Sequence, residues 1–224
     1  MAATYCAVDV GTGSARAALF DGRGAMLGRA EAPLRLLHGA GGAAEYDAAQ
    51  IWTALCRAVA AATAQAGADP RDVAGLGIGA TCSLVLSTRD GAPLRLAAGG
   101  DTFAWCDRRA TAEAAELSAI SHRVIALQGG RMSPEMHLAK LLWLRRRAPG
   151  IWARLDRAED LADHLLRRAT GAPAASGCAL AVKWPYLPGK GGWQQDFLAD
   201  AGLEGLPGRL RLPAAGLPAG AVVA

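Results

Sequence analysis

The stretch Asp9-Val10-Gly11-Thr12-Gly13-Ser14-Ala15-Arg16 constrains this chain most. It closes an apolar, β-prone run over Thr4–Val10, turns through glycines at 11 and 13, and enters a second such run over residues 15–20. Strands joined by so short a turn pair antiparallel. Asp21-Gly22-Arg23-Gly24 is a further turn signal, returning the chain as a third strand over residues 25–34. The first turn is suited to phosphate. Its backbone N–H groups and the Thr12 and Ser14 hydroxyls can surround phosphate oxygens, Arg16 adds positive charge, and Asp9 can orient a hydrated magnesium. A Walker loop would need Gly-Lys-Ser/Thr opening a helix, and a dinucleotide fingerprint would need a third glycine where Arg16 stands. The simpler alternative is a plain hairpin turn with an exposed acid and base.

Helices follow the meander. Asp47 with Gln50 resembles a capping pair, and Ile51, Leu55, Val59 and Ala62 recur at helical spacing until Gly67, predicting a helix over residues 48–65. Val73–Ala80 and Leu84–Ser87 read as strands, the second ending at Arg89-Asp90-Gly91. A helix is expected over residues 108–117. Another is expected from Ser133 as N-cap with Pro134 at its first position, burying Met136, Leu141 and Leu144 and stopping at Pro149-Gly150. A short one spans residues 160–170 and closes on Gly171.

With 224 residues, 52% hydrophobic and 20% charged, the chain can bury a sizeable core. Its net charge of +4 is scattered apart from Arg145, Arg146 and Arg147, whereas nucleic acid would call for a basic stripe along a face. Cys6, Cys56, Cys82, Cys106 and Cys178 are widely spaced without a CxxC pair, which argues against a disulfide framework or a structural zinc and for a reducing cytoplasm. The start carries no basic region of a signal peptide, and residues 73–88, the longest run without charge, hold three glycines and fall short of the roughly 18 apolar residues of a membrane helix. His38, His122, His137 and His164 show no ligand spacing and receive no role.

The strings VDVGTGSARAALFD, GIGATCSLVL, FAWCDRRA, MSPEMHLAKLLWL and DLADHLLRRATG with CALAVKW, in that order, resemble the FGGY family of carbohydrate kinases, and within it pentulose kinases of ribulokinase type. The resemblance implies an α/β fold of the actin-like ATPase, ribonuclease H-like kind, a mixed sheet with helices on both faces. It implies phosphate transfer from ATP with magnesium to a sugar hydroxyl. Carried over residue by residue, Asp9, Gly11, Thr12, Gly13, Ser14 and Arg16 form the phosphate motif, with Asp9 reaching the metal through water. Thr81, Cys82, Trp105, Asp107, Arg109, Glu135 and Lys183 serve the sugar pocket. An indole offers a flat apolar wall to a sugar's carbon face, and the polar groups supply donors and acceptors to its hydroxyls.

Gly79 stands where ribulokinase-like members carry an acid. The resemblance places the family's general base, an aspartate, beyond Ala224, and assigns the adenosine site to a second domain. The expectation is therefore one N-terminal, sugar-binding domain over residues 1–224, with no catalytic residue of its own, whose C-terminal half comes from elsewhere, such as an adjacent reading frame. A non-catalytic chain binding sugar or phosphate weakly is the alternative, and another actin-like phosphotransferase or hydrolase ranks below it because nothing there calls for the WCDRR string or the SPE segment. The composition does not specify which sugar.

Overall fold

The computed structural model describes residues 3–223. The expectation tied to Ala224, that the family's base follows it, lies outside the described residues. The chain runs through β1 (Thr4–Val10), β2 (Ser14–Asp21), β3 (Met26–Pro33), β4 (Leu37–His38), β5 (Ala44–Tyr46), α1 (Ala48–Ala66), β6 (Val73–Ala80), β7 (Leu84–Ser87) and β8 (Thr102–Phe103). It continues through α2 (Thr111–Ser118), α3 (Arg123–Leu127), α4 (His137–Arg147), α5 (Pro149–Arg154), β9 (Arg157–Asp160), α6 (Leu161–Thr170), α7 (Gly177–Lys183), β10 (Tyr186–Leu187), β11 (Gly192–Trp193), α8 (Gln195–Asp200) and α9 (Leu206–Arg209). The chain forms two compact units. The first holds the residues up to Leu36 together with Tyr46–Thr81, and the second holds Leu37–Glu45 with the chain from Cys82 onward. Among the described residues no helix is long and apolar enough to cross a membrane.

The first unit is a four-stranded sheet in the order β3-β2-β1-β6, antiparallel except for the parallel pairing of β6 on β1. Strict alternation in β1 buries Thr4, Cys6, Val8 and Val10 and leaves Tyr5, Ala7 and Asp9 exposed. Helix α1 crosses from the meander to β6 and packs on β2 and β3. Asp47 caps it by accepting the Ala49 and Gln50 N–H groups at 2.8 and 3.0 Å, and Gly67 ends it in the left-handed conformation at φ 60°. The Gln50 side-chain oxygen accepts the Arg35 N–H at 3.4 Å, tying the segment after β3 to the first turn of the helix. Where β3 passes the helix, a Cβ on Gly28 would stand 2.5 Å from the Ala62 carbonyl oxygen and 2.7 Å from the Ala66 nitrogen. The sheet reaches α1 this closely because Gly28 has no side chain.

The second unit is built on a five-stranded sheet in the order β4-β5-β8-β7-β9. Its core gathers Leu84, Leu86, Phe103, Leu138, Leu141, Leu142, Trp184 and Phe197, each at most 2% exposed. The predicted start of α4 is corrected. Ser133 Oγ accepts the Glu135 N–H at 3.2 Å and the Ser133 carbonyl accepts the Met136 N–H at 3.1 Å, so Ser133-Pro134 closes a turn and the helix begins at His137. Pro149 likewise does more than stop a helix, since it occupies the first turn of α5. The helix predicted from residue 108 starts at Thr111, because residues 104–109 form the turn described below. Helix α6 follows expectation, with Asp160 accepting the Ala162 N–H and Gly171 closing it at φ 75°.

Candidate functional site

The hairpin between β1 and β2 gathers Asp9, Gly11, Thr12, Gly13, Ser14 and Arg16 in the first unit. The Gly11 N–H donates to the Ser14 carbonyl at 2.9 Å, and Asp9 and Arg16 are opposite one another in the ladder and form an ion pair at 2.9 Å. A Cβ on Gly11 would run into the Arg16 guanidinium, so glycine is what lets the arginine lie across the turn. The Tyr46 hydroxyl donates to the Thr12 carbonyl at 2.8 Å and the Leu34 N–H to the Gly13 carbonyl at 2.9 Å, bracing the turn from behind. In front it is open: Thr12 and Gly13 are exposed, and no atom among the described residues lies within 4 Å of a Cβ built on Gly13. Arg16 Nε is buried without a hydrogen-bond partner among the described residues. An open glycine turn with a spare guanidinium donor beside it fits a phosphate group.

Gly79 is the register partner of Asp9 on the neighbouring parallel strand. A Cβ there would meet only the Val8 carbonyl oxygen, at 3.7 Å, so a side chain would fit. An acid at this position would stand beside Asp9 as a like charge, and with glycine the Asp9 carboxylate faces Arg16 without that repulsion. The departure from the family pattern therefore lies beside the phosphate hairpin in the sheet. Thr81, expected at the sugar, ends the first unit and extends the ladder by donating its N–H to the Val10 carbonyl at 2.9 Å.

The other sugar-site candidates belong to the second unit. Trp105 is 36% exposed, so its indole is not core. Asp107 is fully buried and accepts the Ala44 N–H at 2.8 Å and the Arg109 guanidinium at 2.7 and 2.9 Å. Arg109 also reaches Glu45 at 2.7 Å, and Glu45 in turn accepts the N–H groups of Ala98 and Gly100. Its guanidinium lies 4.8 Å from the Phe103 ring centroid and 5.1 Å from that of Trp143. Burial works against the Arg109 cation, and its hydrogen bonds to Asp107 and Glu45 outweigh that and hold its pKa above the ordinary value. Asp107 and Arg109 thus spend these bonds on a buried triad that shapes the turn carrying Trp105.

Sequence reasoning missed two residues here. Lys140 is fully buried on α4 and donates to the Ala104 carbonyl at 2.8 Å. Burial lowers its pKa to about 8, with Asp107 and Glu135 opposing that shift and Lys183 adding to it. Its spacing was a readable signal, because residues 136, 140 and 144 share a helix face and the outer two were expected to be buried. Asp160, read only as a helix start, is 3% exposed and stands 3.4 Å from His137 Nε2. Lys183 and Lys140 act on it, and Asp160 and Lys183 act in turn on Cys82. Asp107, Glu135 and Lys183 thus bear electrostatically on Lys140, and Lys183 bears also on Asp160 and Cys82. Burial raises the Cys82 and Cys106 thiols, which makes both protonated side chains rather than nucleophiles at neutral pH.

Burial pushes Asp160 and Asp163 up to about 7 from an ordinary 3.8. Each binds its proton more tightly in the folded chain, so the stability it contributes is complete below the ordinary value and is lost as pH rises through about 7. Glu159 has the opposite sign. Burial alone would raise it, but hydrogen bonds from His164 and Arg167 bring it down to about 2, and its contribution is lost as pH falls toward that value. The melting temperature is expected to peak at about pH 4 and to fall by several degrees toward about pH 8. Calorimetry across that range checks this, and a melting temperature that rises steadily to pH 8 would contradict it.

Comparison with known proteins identifies the family. The profile of the N-terminal domain of the FGGY family of carbohydrate kinases matches residues 4–179. An FGGY carbohydrate kinase domain-containing protein of Homo sapiens is 38% identical over 205 residues, covering 89% of this chain and 37% of its own. A D-ribulokinase of Saccharomyces cerevisiae is 34% identical over 214 residues, covering 90% of this chain and 30% of its own. The chain thus spans about a third of the length of these curated relatives. Among solved structures, a xylulose kinase of Brucella ovis superposes with a TM-score of 0.79 at 26% identity, covering 96% of this chain and 43% of that one. That of Rhodospirillum rubrum gives 0.78 at 23% identity, covering 95% and 42%, and bears on the fold alone. The fold is accordingly the actin-like α/β fold of sugar kinases, and the chain belongs to the FGGY family of carbohydrate kinases, matching its N-terminal domain.

Proposed function

We propose that this chain forms the sugar-binding, N-terminal domain of an ATP-dependent pentulose kinase, with a D-ribulose-like ketose as its substrate. The likeness to a D-ribulokinase over 90% of the chain carries this reading, supported by the family match over residues 4–179, a span that includes both the hairpin and the Trp105 turn. Asp9, Gly11, Thr12, Gly13, Ser14 and Arg16 hold the phosphates of ATP, and Asp9 orients hydrated magnesium. ATP supplies the phosphoryl group and magnesium neutralises charge on it. In the second unit Trp105 packs on the carbon face of the sugar while Glu135, Lys183 and Cys82 bound the pocket; Thr81, in the first unit, precedes Cys82 in sequence. Asp107 and Arg109 hold the pocket's wall. The remaining length of the relatives supplies the general base and the adenosine site, from the rest of a longer polypeptide or from a separate frame. Free cysteines at all five positions support work in a reducing cytoplasm.

The internal pairing of Asp9 with Arg16 and of Asp107 with Arg109 favours a second reading, a non-catalytic chain that binds sugar or phosphate weakly. A coupled ADP-release assay separates the two. Fused to the C-terminal portion of the Saccharomyces cerevisiae relative, the chain is expected to turn over D-ribulose at roughly 1–100 per second, ahead of D-xylulose, ribitol and glycerol. Absence of turnover with all four in a folded fusion would leave the non-catalytic reading.

A further inference from the structure

The peptide that carries Trp105 is held from both sides by groups outside its own turn. Its N–H donates to Ser83 Oγ at 3.0 Å, just before β7, and Lys140 Nζ from α4 reaches the carbonyl oxygens on either flank, Ala104 at 2.8 Å and Trp105 at 3.5 Å. The Ala104 carbonyl also accepts the Asp107 N–H at 3.0 Å, which closes the turn locally. A turn so closed would be complete without Lys140. Yet the chain places a lysine, fully buried, in the first turns of α4, between His137 and the leucines at 141 and 144. Burying an ammonium is costly, and a methionine of similar length would fill the space without that cost. What the lysine adds is a charge-assisted bond that fixes the direction in which the Trp105 peptide, and hence its indole, points.

We propose that Lys140 is a positioning residue of the sugar site, clamping the Trp105 peptide against Ser83 so that the indole is set in place before sugar arrives. This rests on the pentulose reading above, and it deepens that reading by naming what holds the apolar wall. Preorganising one aromatic face removes an ordering cost from binding. The charged and titratable groups acting on or sensing the ammonium are Asp107, Glu135, Cys106 and Lys183, with Asp160 and His137 across the same cluster. The net environment makes Lys140 titrate near 8, so the clamp weakens as pH rises through that value.

The test uses the full chain labelled with 5-fluorotryptophan, with Trp105→Phe assigning one fluorine line among the six tryptophans. In sugar-free Lys140→Met the Trp105 line is expected to shift and narrow as the indole gains freedom, with the other lines unmoved. The melting temperature is held or raised because a buried charge is gone. D-ribulose affinity is expected to fall about 10- to 100-fold. In a Trp105→Ala background Lys140→Met is expected to change affinity no further, a coupling that a general packing role would not produce. An unmoved Trp105 line in folded Lys140→Met, or additive losses of affinity in the double variant, overturns the proposal. If Lys140→Met does not fold, Lys140→Gln takes its place, and an unmoved Trp105 line in that folded variant refutes the clamp. Should the wild-type chain bind no D-ribulose, the substrate reading fails by itself, while the sugar-free fluorine line still decides the clamp.

Discussion

Arg109→Met is expected to lower the unfolding free energy of the second unit by about 3–5 kcal/mol. The guanidinium is 5% exposed and bridges Glu45 and Asp107, both fully buried. Without it, two carboxylates remain in the interior with backbone donors alone, Ala98 and Gly100 for Glu45 and Ala44 and Arg109 for Asp107. Those bonds partly solvate each anion but leave two like charges uncompensated, and the stacking over Phe103 and Trp143 goes as well. Arg109→Lys restores the charge but not the two-sided fork, so it is expected to recover only part of the loss. Urea unfolding followed at the second unit checks both variants. A loss below about 1 kcal/mol for Arg109→Met would show that the triad contributes little.

In the fused kinase, Asp9→Asn is expected to reduce turnover by about two to three orders of magnitude with the Michaelis constant for D-ribulose nearly unchanged. Asn keeps the size and hydrogen-bonding shape of the side chain and removes only its charge. Asp9 is exposed and among the described residues its carboxylate pairs with Arg16, with Gly79 and not an acid beside it, so no buried charge is stranded and the fold should persist. A charge placed to orient a hydrated cation matters most when charge develops in transfer, and therefore acts on turnover rather than on sugar binding. Unchanged turnover and magnesium dependence would make the hairpin a structural turn only.

How far the sequence could be read follows the range over which its signals act. In the first unit, the strand over Thr4–Val10, the Asp47 cap and the Gly67 stop are each set by residues within a few positions of one another, and all appear as expected. The hairpin between β1 and β2 was equally legible, because Asp9 and Arg16 meet across a turn only a few residues long. Ser133-Pro134 misled because serine before proline at a helix start and serine closing a turn share the same local pattern, and the Glu135 and Met136 N–H groups decide between them. Glu45 carried no local mark at all. Its role depends on Arg109, 64 positions along, and on the turn around Ala98. Lys140 and Asp160 meet their neighbours in the same long-range manner, and a lysine within a leucine-rich helix reads from sequence as a snorkelling surface residue until the turn it anchors is seen.

The central claim, that this chain holds a pentulose against Trp105, is tested most directly by calorimetric titration of the 224-residue protein with D-ribulose, alongside Trp105→Ala. The account predicts one saturable site in the wild-type chain, weaker binding of glycerol, and a loss of affinity of at least about tenfold in a Trp105→Ala variant that melts cooperatively. Equal affinity for D-ribulose in the two proteins, or no binding heat in the wild type, would contradict it.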